Sequence, residues 1–206
     1  MKTAFRKSLI AISTLAAIAT PMLASAESNF TTGAGTPLTA TARVDFTITI
    51  PKFISLRVGA NGSGVGSIDS IVFAVPAASV GAGGAGIAGT GGDLTGGVVT
   101  AKVTGNNGQV TLTSTATGAL SNGTDTISFA QITTVATVLT SATPLPAPTL
   151  TDATSAGVLP TLTGTKITNQ DARWTYNYSN SAVVPAGTYG GVGVNNGRVT
   201  YTASMP

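Results

Sequence analysis

Hydrophobic and polar residues alternate strictly from residue 38 to residue 50. Leucine, alanine, valine, phenylalanine and isoleucine fill the even positions, and threonine, arginine and aspartate fill the odd ones. A period of two with β-branched residues is typical of a strand with one buried face and one solvent-exposed face. Such a strand would be about 43 Å long, at about 3.3 Å per residue. Most strands have only about five or six residues, so this one either bends between two sheets or projects from its domain.

The same parity continues towards the N-terminus at Phe30 and Ala34. Residues 27–37 are therefore predicted to form an extended arm, followed by a single domain over residues 38–206. The side of the arm that could enter a neighbouring subunit is built from small and apolar residues: Phe30, Ala34, Leu38, Ala40 and Ala42. An arm of this pattern can add as a strand to the open sheet edge of another copy.

The rest of the chain has the pattern of short strands separated by turns. Strands are predicted at residues 53–58, 68–75, 98–104, 109–117, 126–132, 134–140, 173–178 and 198–204. The proline-rich residues 144–148 cannot lie inside a sheet, because proline donates no ladder hydrogen bond. The pattern predicts an all-β fold, an immunoglobulin-like antiparallel β-sandwich.

Two segments share the sequence Asn-Asn-Gly between apolar runs, at residues 106–108 and 195–197. Asn-Gly favours a tight hairpin, because the central residues of such a turn need positive φ. We therefore expect Gly108 and Gly197 at positive φ. We also expect residues 98–104 to pair with 109–117, and the chain around Val192 to pair with the final strand.

Residues 81–97 contain nine glycines. Ordering glycine is entropically costly, which favours a flexible loop at the tip of the sandwich, with a glycine-tolerant sheet edge as the alternative. Residues 84–89 also match Gly-x-Gly-x-x-Gly. The required helix and the acidic residue about twenty positions later are missing, so no dinucleotide site is predicted.

The first 26 residues have the three parts of a secretory signal peptide. A basic start is followed by a short apolar run and by small residues at Ala24 and Ala26, which place cleavage before Glu27. Three of the ten basic residues lie in this leader, so seven basic residues remain against seven acidic ones. The mature chain is expected to be secreted to the cell surface or beyond through the periplasm, without an integral membrane segment and without affinity for nucleic acid.

The composition lacks the residue types that most often serve in catalytic and metal-binding sites. The chain has no histidine and no cysteine, which removes the commonest general base and the thiolate nucleophile. The carboxylates are scattered, and residues 122–125 indicate a turn rather than a calcium loop. We therefore predict no catalytic, cofactor-binding or metal-binding residues, and no enzyme.

Three aromatic residues alternate at Trp174, Tyr176 and Tyr178, so they share one face of a strand. Such a stripe can stack on a sugar, but large aromatic side chains more often pack in a core. Core packing is the favoured interpretation, and a carbohydrate platform is the alternative.

The sequence Pro-Ala-Gly-Thr-Tyr at residues 185–189, followed by the final strand at 198–204, resembles the ending of bacterial pilins and related fimbrial subunits assembled by chaperone and usher. This resemblance implies a pilin-like fold, copies of itself or related subunits as partners, and a periplasmic chaperone as a further partner. Three features depart from the pattern: residues 190–197 are inserted, the chain ends in Ser-Met-Pro, and no cysteine pair is present.

These observations lead to two hypotheses of different classes. The first is a non-enzymatic structural subunit of a bacterial surface filament, coat or biofilm matrix, which self-associates by β-strand addition. The second is a monomeric secreted binding module, with carbohydrate as its ligand on the aromatic stripe.

Overall fold

A computed structural model describes residues 27–60, 68–84 and 86–206. The predicted leader, with Ala24 and Ala26, lies outside the described residues. The chain divides after Ile50 into two units, and the second of them spans Pro51–Pro206.

The second unit is built almost entirely of antiparallel strands, which confirms the all-β prediction. Its only described helical elements are two short 3₁₀ turns, Ala77–Ser79 and Phe129–Gln131. The strands are β1 (Ile54–Val58), β2 (Ile71–Val72), β3 (Ile87–Ala88), β4 (Thr90–Gly91), β5 (Val98–Gly105), β6 (Thr111–Ala116), β7 (Leu120–Ser121), β8 (Thr126–Ile127), β9 (Ile132–Thr137), β10 (Thr168–Tyr178) and β11 (Val199–Ser204).

The largest sheet has the order β1–β5–β10–β9. Its centre is the long strand β10, which pairs with β5 through Thr168–Thr175 and with β9 through Arg173–Tyr178. The short strand β3 continues the β5 side of β10 at Asn177 and Tyr178. Strands β1 and β9 are therefore the two edges of this sheet.

A second sheet pairs β11 with β6 over six residues of each strand. The far side of β6 is bridged by Val158, opposite Leu112, and by Thr154, opposite Thr115. Among the described residues, β11 therefore pairs with no second strand and is the edge of this sheet. Two small ribbons, β2–β4 and β7–β8, complete the pairing.

Side chains from both sheets form one hydrophobic core. Val103 on β5, Leu112 on β6 and Trp174 on β10 are fully buried. The Trp174 ring lies 5.2 Å from the ring of Tyr201 on β11, which brings the two sheets into direct contact. Alternation in β10 places its apolar residues in this core because successive side chains point to opposite faces.

The strands of both sheets start and finish at the same two ends of the folded unit, which we call the lower end and the upper end. At the lower end β5 crosses to β6, and this end comprises residues 51–53, 106–110, 159–167 and 205–206. At the upper end β1, β6 and β10 finish and β5 and β11 begin, and this end comprises residues 59–60, 68–84, 86–97, 117–127, 149–155 and 179–198.

The first predicted hairpin is wrong, because β5 and β6 belong to different sheets. The connection is held to β1 instead: the Asn106 side chain accepts from Phe53 N (2.8 Å) and donates to Pro51 O (2.9 Å). Gly108 has the expected positive φ, 112°. The positive φ of Gly108 was predicted correctly, but Asn107 does not share it, and the partner of each strand was decided by packing across the core.

The second predicted hairpin is also wrong, since no strand forms around Val192 and β11 pairs with β6. Positive φ occurs at Asn195 (51°) and Asn196 (58°), and Gly197 N donates to Val194 O (2.8 Å). The turn therefore lies one residue earlier than predicted. A Cβ on Gly197 would lie 2.3 Å from the backbone of Gly191, so close approach is what requires glycine there.

The glycine-rich segment contains sheet edge, the alternative interpretation of its sequence. Strand β3 pairs with β10 and strand β4 pairs with β2. A Cβ on Gly97, whose φ is 75°, would lie 2.7 Å from the Cα of Gly89. Glycine lets these backbones meet where any side chain would separate them.

Several predicted strands differ in extent from the observed ones. Residues 68–75 pair only at Ile71–Val72, and residues 126–132 end in a 3₁₀ turn after Ile127. Strand β9 begins two residues earlier than predicted, and β10 begins five residues earlier. Residues 144–148 form no strand, as predicted, but they pack inwards with Leu145 fully buried.

Candidate assembly site

The alternating segment at residues 38–50 forms no strand in the structure. Every residue from Glu27 to Ile50 is exposed and none is assigned to a strand or helix. A strand needs a partner for its backbone donors and acceptors. Here the strand pattern is present in the sequence, but the chain itself provides no partner among the described residues.

This exposure includes the large apolar side chains at the end of the segment. Phe46 is 88% exposed, Ile48 84% and Ile50 75%. They share the even parity of Leu38, Ala40 and Ala42, so together they form one continuous apolar side. Soluble proteins seldom expose a contiguous apolar surface unless it mediates binding.

The predicted arm residues end at Ala42, and the exposed even-numbered side continues beyond them at Val44, Phe46, Ile48 and Ile50. The alternation from residue 38 to residue 50 is the sequence signal for these four residues, and it left open whether the strand bends between two sheets or projects from its domain. The second of the two units begins at Pro51. We call residues 27–50 the N-terminal segment from here on.

The N-terminal segment has one ion pair. Arg43 donates from Nε (2.7 Å) and Nη2 (2.8 Å) to the Glu27 carboxylate. These hydrogen bonds lower the pKa of Glu27 and raise the pKa of Arg43. Both groups are exposed, so the pair is screened by salt and easily exchanged for other contacts.

Burial decreases towards one side of the folded unit, where β1 and β11 contact each other. On β11 the inward side chains Val199, Tyr201 and Ala203 are only half-buried, whereas the residues opposite them on β6 are buried. On β1 the same holds for Leu56 and Val58 relative to β5. Core side chains are thus incompletely covered along two neighbouring edge strands.

A shallow apolar depression lies at the lower end of this open side. Lys52, Phe53, Ile54, Ser204, Met205 and Pro206 line it. Asn107 Nδ2 donates to Pro206 O (2.6 Å), which fastens the end of the chain beside the start of β1. The residues after β11 are therefore held beside the residues before β1, and the depression lies between these two edge strands.

The opposite edge of the larger sheet, β9, provides a comparison. Its inward residue Ala136 is half-buried, like Ala203 on β11. Its outward residue Val135 is 51% exposed. Two half-buried alanines on two different edges make a matched pair for experiments on strand addition.

The aromatic stripe is part of the core. Trp174 is fully buried, and Tyr176 and Tyr178 are buried as well. Trp174 Nε1 donates to Leu145 O (2.9 Å), so its polar atom is also satisfied internally. This placement matches the core-packing interpretation, and the three side chains offer no exposed platform.

The buried ionisable groups serve the fold. Burial by itself would raise the pKa of Asp171, but hydrogen bonds from the Thr140 hydroxyl and amide and from the Ser141 amide lower that pKa to about 2. Burial raises the pKa of Tyr201 to about 12 and that of Tyr176 well above its usual value. No group of three or more metal-ligating side chains occurs in residues 27–60, 68–84 and 86–206.

The tyrosine of the Pro-Ala-Gly-Thr-Tyr sequence forms a local corner. Tyr189 Oη donates to Pro185 O (2.7 Å) at the upper end, before β11. A tyrosine hydroxyl bonded to a backbone carbonyl a few residues upstream is a recurring corner of immunoglobulin-type sandwiches.

No family model, curated protein or solved structure matches this chain. Its resemblance to pilins therefore rests on its own residues. In the part of the chain that the structure describes, no helix has the length and apolarity required to cross a membrane.

Proposed function

We propose that this protein is an exported, non-enzymatic structural subunit of a bacterial surface filament, coat or biofilm matrix, which self-associates by β-strand addition. The observation that carries the proposal is the fully exposed N-terminal segment with one continuous apolar side. An extended segment that adds to an open sheet edge gains backbone hydrogen bonds and buries alternate side chains at once.

The acceptor in this proposal is the edge of β11, on the side where β1 and β11 meet. An added strand would place its even-numbered side chains over the half-buried Tyr201 and Ala203. Aromatic and branched residues such as Phe46 and Ile48 are large enough to complete this cover. The gain comes from removing apolar surface of both copies from water.

The odd-numbered side of the segment also fits this edge. The outward face of the smaller sheet carries only hydroxyl side chains in its paired rows: Thr200 opposite Thr115, Thr202 opposite Thr113, and Ser204 opposite Thr111. Thr47 and Thr49 of an added strand would extend these rows. Threonine pairs across strands stabilise a sheet.

In this proposal the two sheets form a pilin-like β-sandwich that a partner strand completes. The Tyr189 corner supports a sandwich of this kind. The predicted leader supports export, with other copies or related subunits as partners and a periplasmic chaperone protecting the exposed apolar segment before assembly. Equal numbers of acidic and basic residues after Ala26 favour association, since a neutral surface lacks long-range repulsion.

Cross-linking between differently tagged copies tests the proposal, because the chain has no cysteine of its own. One copy carries cysteine in place of Val44, Phe46 or Ile48 in turn, and the co-expressed copy carries Ala203→Cys. A bismaleimide tolerates looser geometry than a disulfide, so the three positions cover neighbouring registers. We expect cross-linked heterodimers between the tagged chains.

Ala136→Cys on β9 is the matched control, since it is an equally half-buried alanine on another edge. Cross-links to Ala136→Cys in place of Ala203→Cys would contradict β11 as the acceptor. If Ala203→Cys fails to fold, Ile54→Cys, on the β1 side of the same opening, replaces it.

Deletion and proline variants examine the role of the segment in assembly. Deleting residues 38–50, or changing Ile48 to proline, should yield soluble monomers that keep a β-type circular dichroism spectrum. If the wild-type mature protein is itself monomeric at high concentration and forms no filaments under the microscope, the assembly proposal fails. The monomeric binding module then becomes the better hypothesis, to be examined with carbohydrate arrays.

A further inference from the structure

The two ends of the folded unit both expose apolar side chains. At the upper end Val183 is 79% exposed and Val192 72%. At the lower end Leu159 is 61% exposed and Ile167 51%. These residues lie on loops that are held in place: Gly108 N donates to Lys166 O (3.0 Å) below, and Ser121 N donates to Asn195 O (3.0 Å) above.

The side-chain charges of the two ends are opposite in sign on balance. The lower end carries Lys52 and Lys166, both exposed, and no acidic side chain. The upper end carries four half-buried acidic residues, Asp69, Asp93, Asp125 and Asp152. Its basic residues are Arg57, which pairs with Asp93 (3.3 Å), and the exposed Arg198. Asp152 accepts from Phe129 N (2.7 Å), whereas the Asp125 carboxylate accepts a longer hydrogen bond from Asn122 Nδ2 (3.4 Å), so Asp125 is the less tightly held of the two. An upper end placed against a lower end therefore brings unlike charges together.

The direction of strand addition decides which ends would meet. Every strand pair that the structure describes is antiparallel. Strand β11 runs from the upper to the lower end, so an antiparallel incoming segment runs upwards and finishes with Ile50 at the acceptor's upper end. Pro51 follows directly, and it belongs to the lower end of the donor.

We infer that consecutive copies stack end to end, with the lower end of the donor seated on the upper end of the acceptor. This inference rests on the proposed function and adds a second, heterologous contact to strand addition. Ile167 and Leu159 of one copy pack against Val192 and Val183 of the next, with Lys166 near Asp125. Because a head-to-tail contact does not close on itself, it extends into a filament.

A parallel incoming segment would give a different arrangement. It would bring the donor's lower end to the acceptor's lower end, so that Lys52 and Lys166 of both copies would face each other. Like charges in close contact are unfavourable. The charge distribution of the two ends therefore favours antiparallel addition as well.

Charge substitutions at the two ends test this inference in the full mature chain. Val192→Asp at the upper end and Ile167→Asp at the lower end should each raise the critical concentration for assembly about tenfold or more, where tenfold corresponds to about 1.4 kcal/mol. Val138→Asp is the matched control. Its side chain is 48% exposed midway between the ends, beside Arg173, and it should leave assembly unchanged.

Rescue provides the more specific readout. The chain that combines Val192→Asp with Ile167→Lys should assemble better than Val192→Asp alone, because lysine of one copy then meets aspartate of the next. Circular dichroism melting confirms that each variant is folded, and Val194→Asp replaces Val192→Asp if needed. Raising the salt concentration should weaken the rescued assembly.

The cross-link between the N-terminal segment and Ala203→Cys separates this inference from the proposed function. If that cross-link forms while Val192→Asp and Ile167→Asp assemble like wild type, the end-to-end contact is wrong and strand addition stands. An equal defect in Val138→Asp, or no rescue in the combined variant, also overturns the end-to-end contact. If no cross-link forms at all, strand addition itself fails.

Discussion

The hydroxyl oxygens of Tyr176 and Tyr201 lie 2.9 Å apart and join the two sheets through one hydrogen bond. Tyr176 is on β10 and Tyr201 on β11, so the bond ties the central strand of one sheet to the edge strand of the other. Burial raises the pKa of both hydroxyls, so both stay neutral throughout the physiological pH range. The edge proposed as acceptor is thus fixed to the core.

Replacing Tyr201 with phenylalanine should lower the free energy of unfolding by about 1–3 kcal/mol, because the Tyr176 hydroxyl is left buried without a partner. Tyr176→Phe should cost a similar amount. The double variant should cost less than the two single variants together, since no orphaned hydroxyl remains. Denaturant unfolding of all four proteins measures this coupling, and strict additivity would show that the bond contributes nothing.

Asp171 should make the protein sensitive to acid. Its pKa is lowered in the fold from the ordinary 3.8 to about 2, so its contribution to stability is complete above about pH 4. As the pH falls from there towards 2 this contribution is lost. Asp171→Asn should be less stable at neutral pH and should show a flatter stability profile between pH 4 and 2. Parallel profiles for the two proteins, from thermal melts across this range, would contradict the assignment.

Gly97 should be more sensitive to substitution than its neighbour Gly96. Both have positive φ, 75° and 61°, but a Cβ on Gly97 meets the Gly89 backbone whereas a Cβ on Gly96 meets nothing within 4 Å. Gly96→Ala is therefore expected to cost about 1 kcal/mol from backbone strain alone, and Gly97→Ala distinctly more. Equal melting temperatures would argue against the close approach of these two backbones.

The parity of the N-terminal segment predicts opposite results for neighbouring residues. Phe46→Asp puts a charge on the side that enters the acceptor, so it should abolish assembly, measured by sedimentation velocity. Thr47→Asp lies on the other side of the same strand and should leave assembly nearly intact. The melting temperature of the monomer should not change in either variant, because both positions are exposed. Similar assembly defects in both would contradict the register.

The mature protein should begin at Glu27. Ala24 and Ala26 provide the small residues that signal peptidase requires, after a basic start and an apolar run. Intact-mass analysis of the exported protein measures this directly. A mass that still includes residues 1–26 would rule out cleavage.

The sequence by itself determined the fold class and the existence of most strands. The strands predicted at residues 98–104, 109–117 and 173–178 were found because alternation reflects burial of one face, which is a local property of a strand. Residues 168–172 of β10 were not predicted, since Gln170, Asp171 and Ala172 are buried in succession and give no alternation. The same local property revealed that residues 38–50 have a strand pattern, and it distinguished their apolar side from their polar side. Positive φ around the two Asn-Asn-Gly sequences was likewise readable from turn chemistry, to within one residue.

Only the tertiary structure decided which strands pair. Turn residues reverse the chain, but whether β6 returns to β5 or crosses to β11 depends on where the Trp174 and Leu112 side chains can be buried together, which is a non-local matter. The structure also decided whether residues 38–50 form a strand with other described residues of the chain. An apolar side in the pattern indicates that this side is to be buried, but it does not indicate by which chain. In the part of the chain that the structure describes, every residue from Glu27 to Ile50 is exposed.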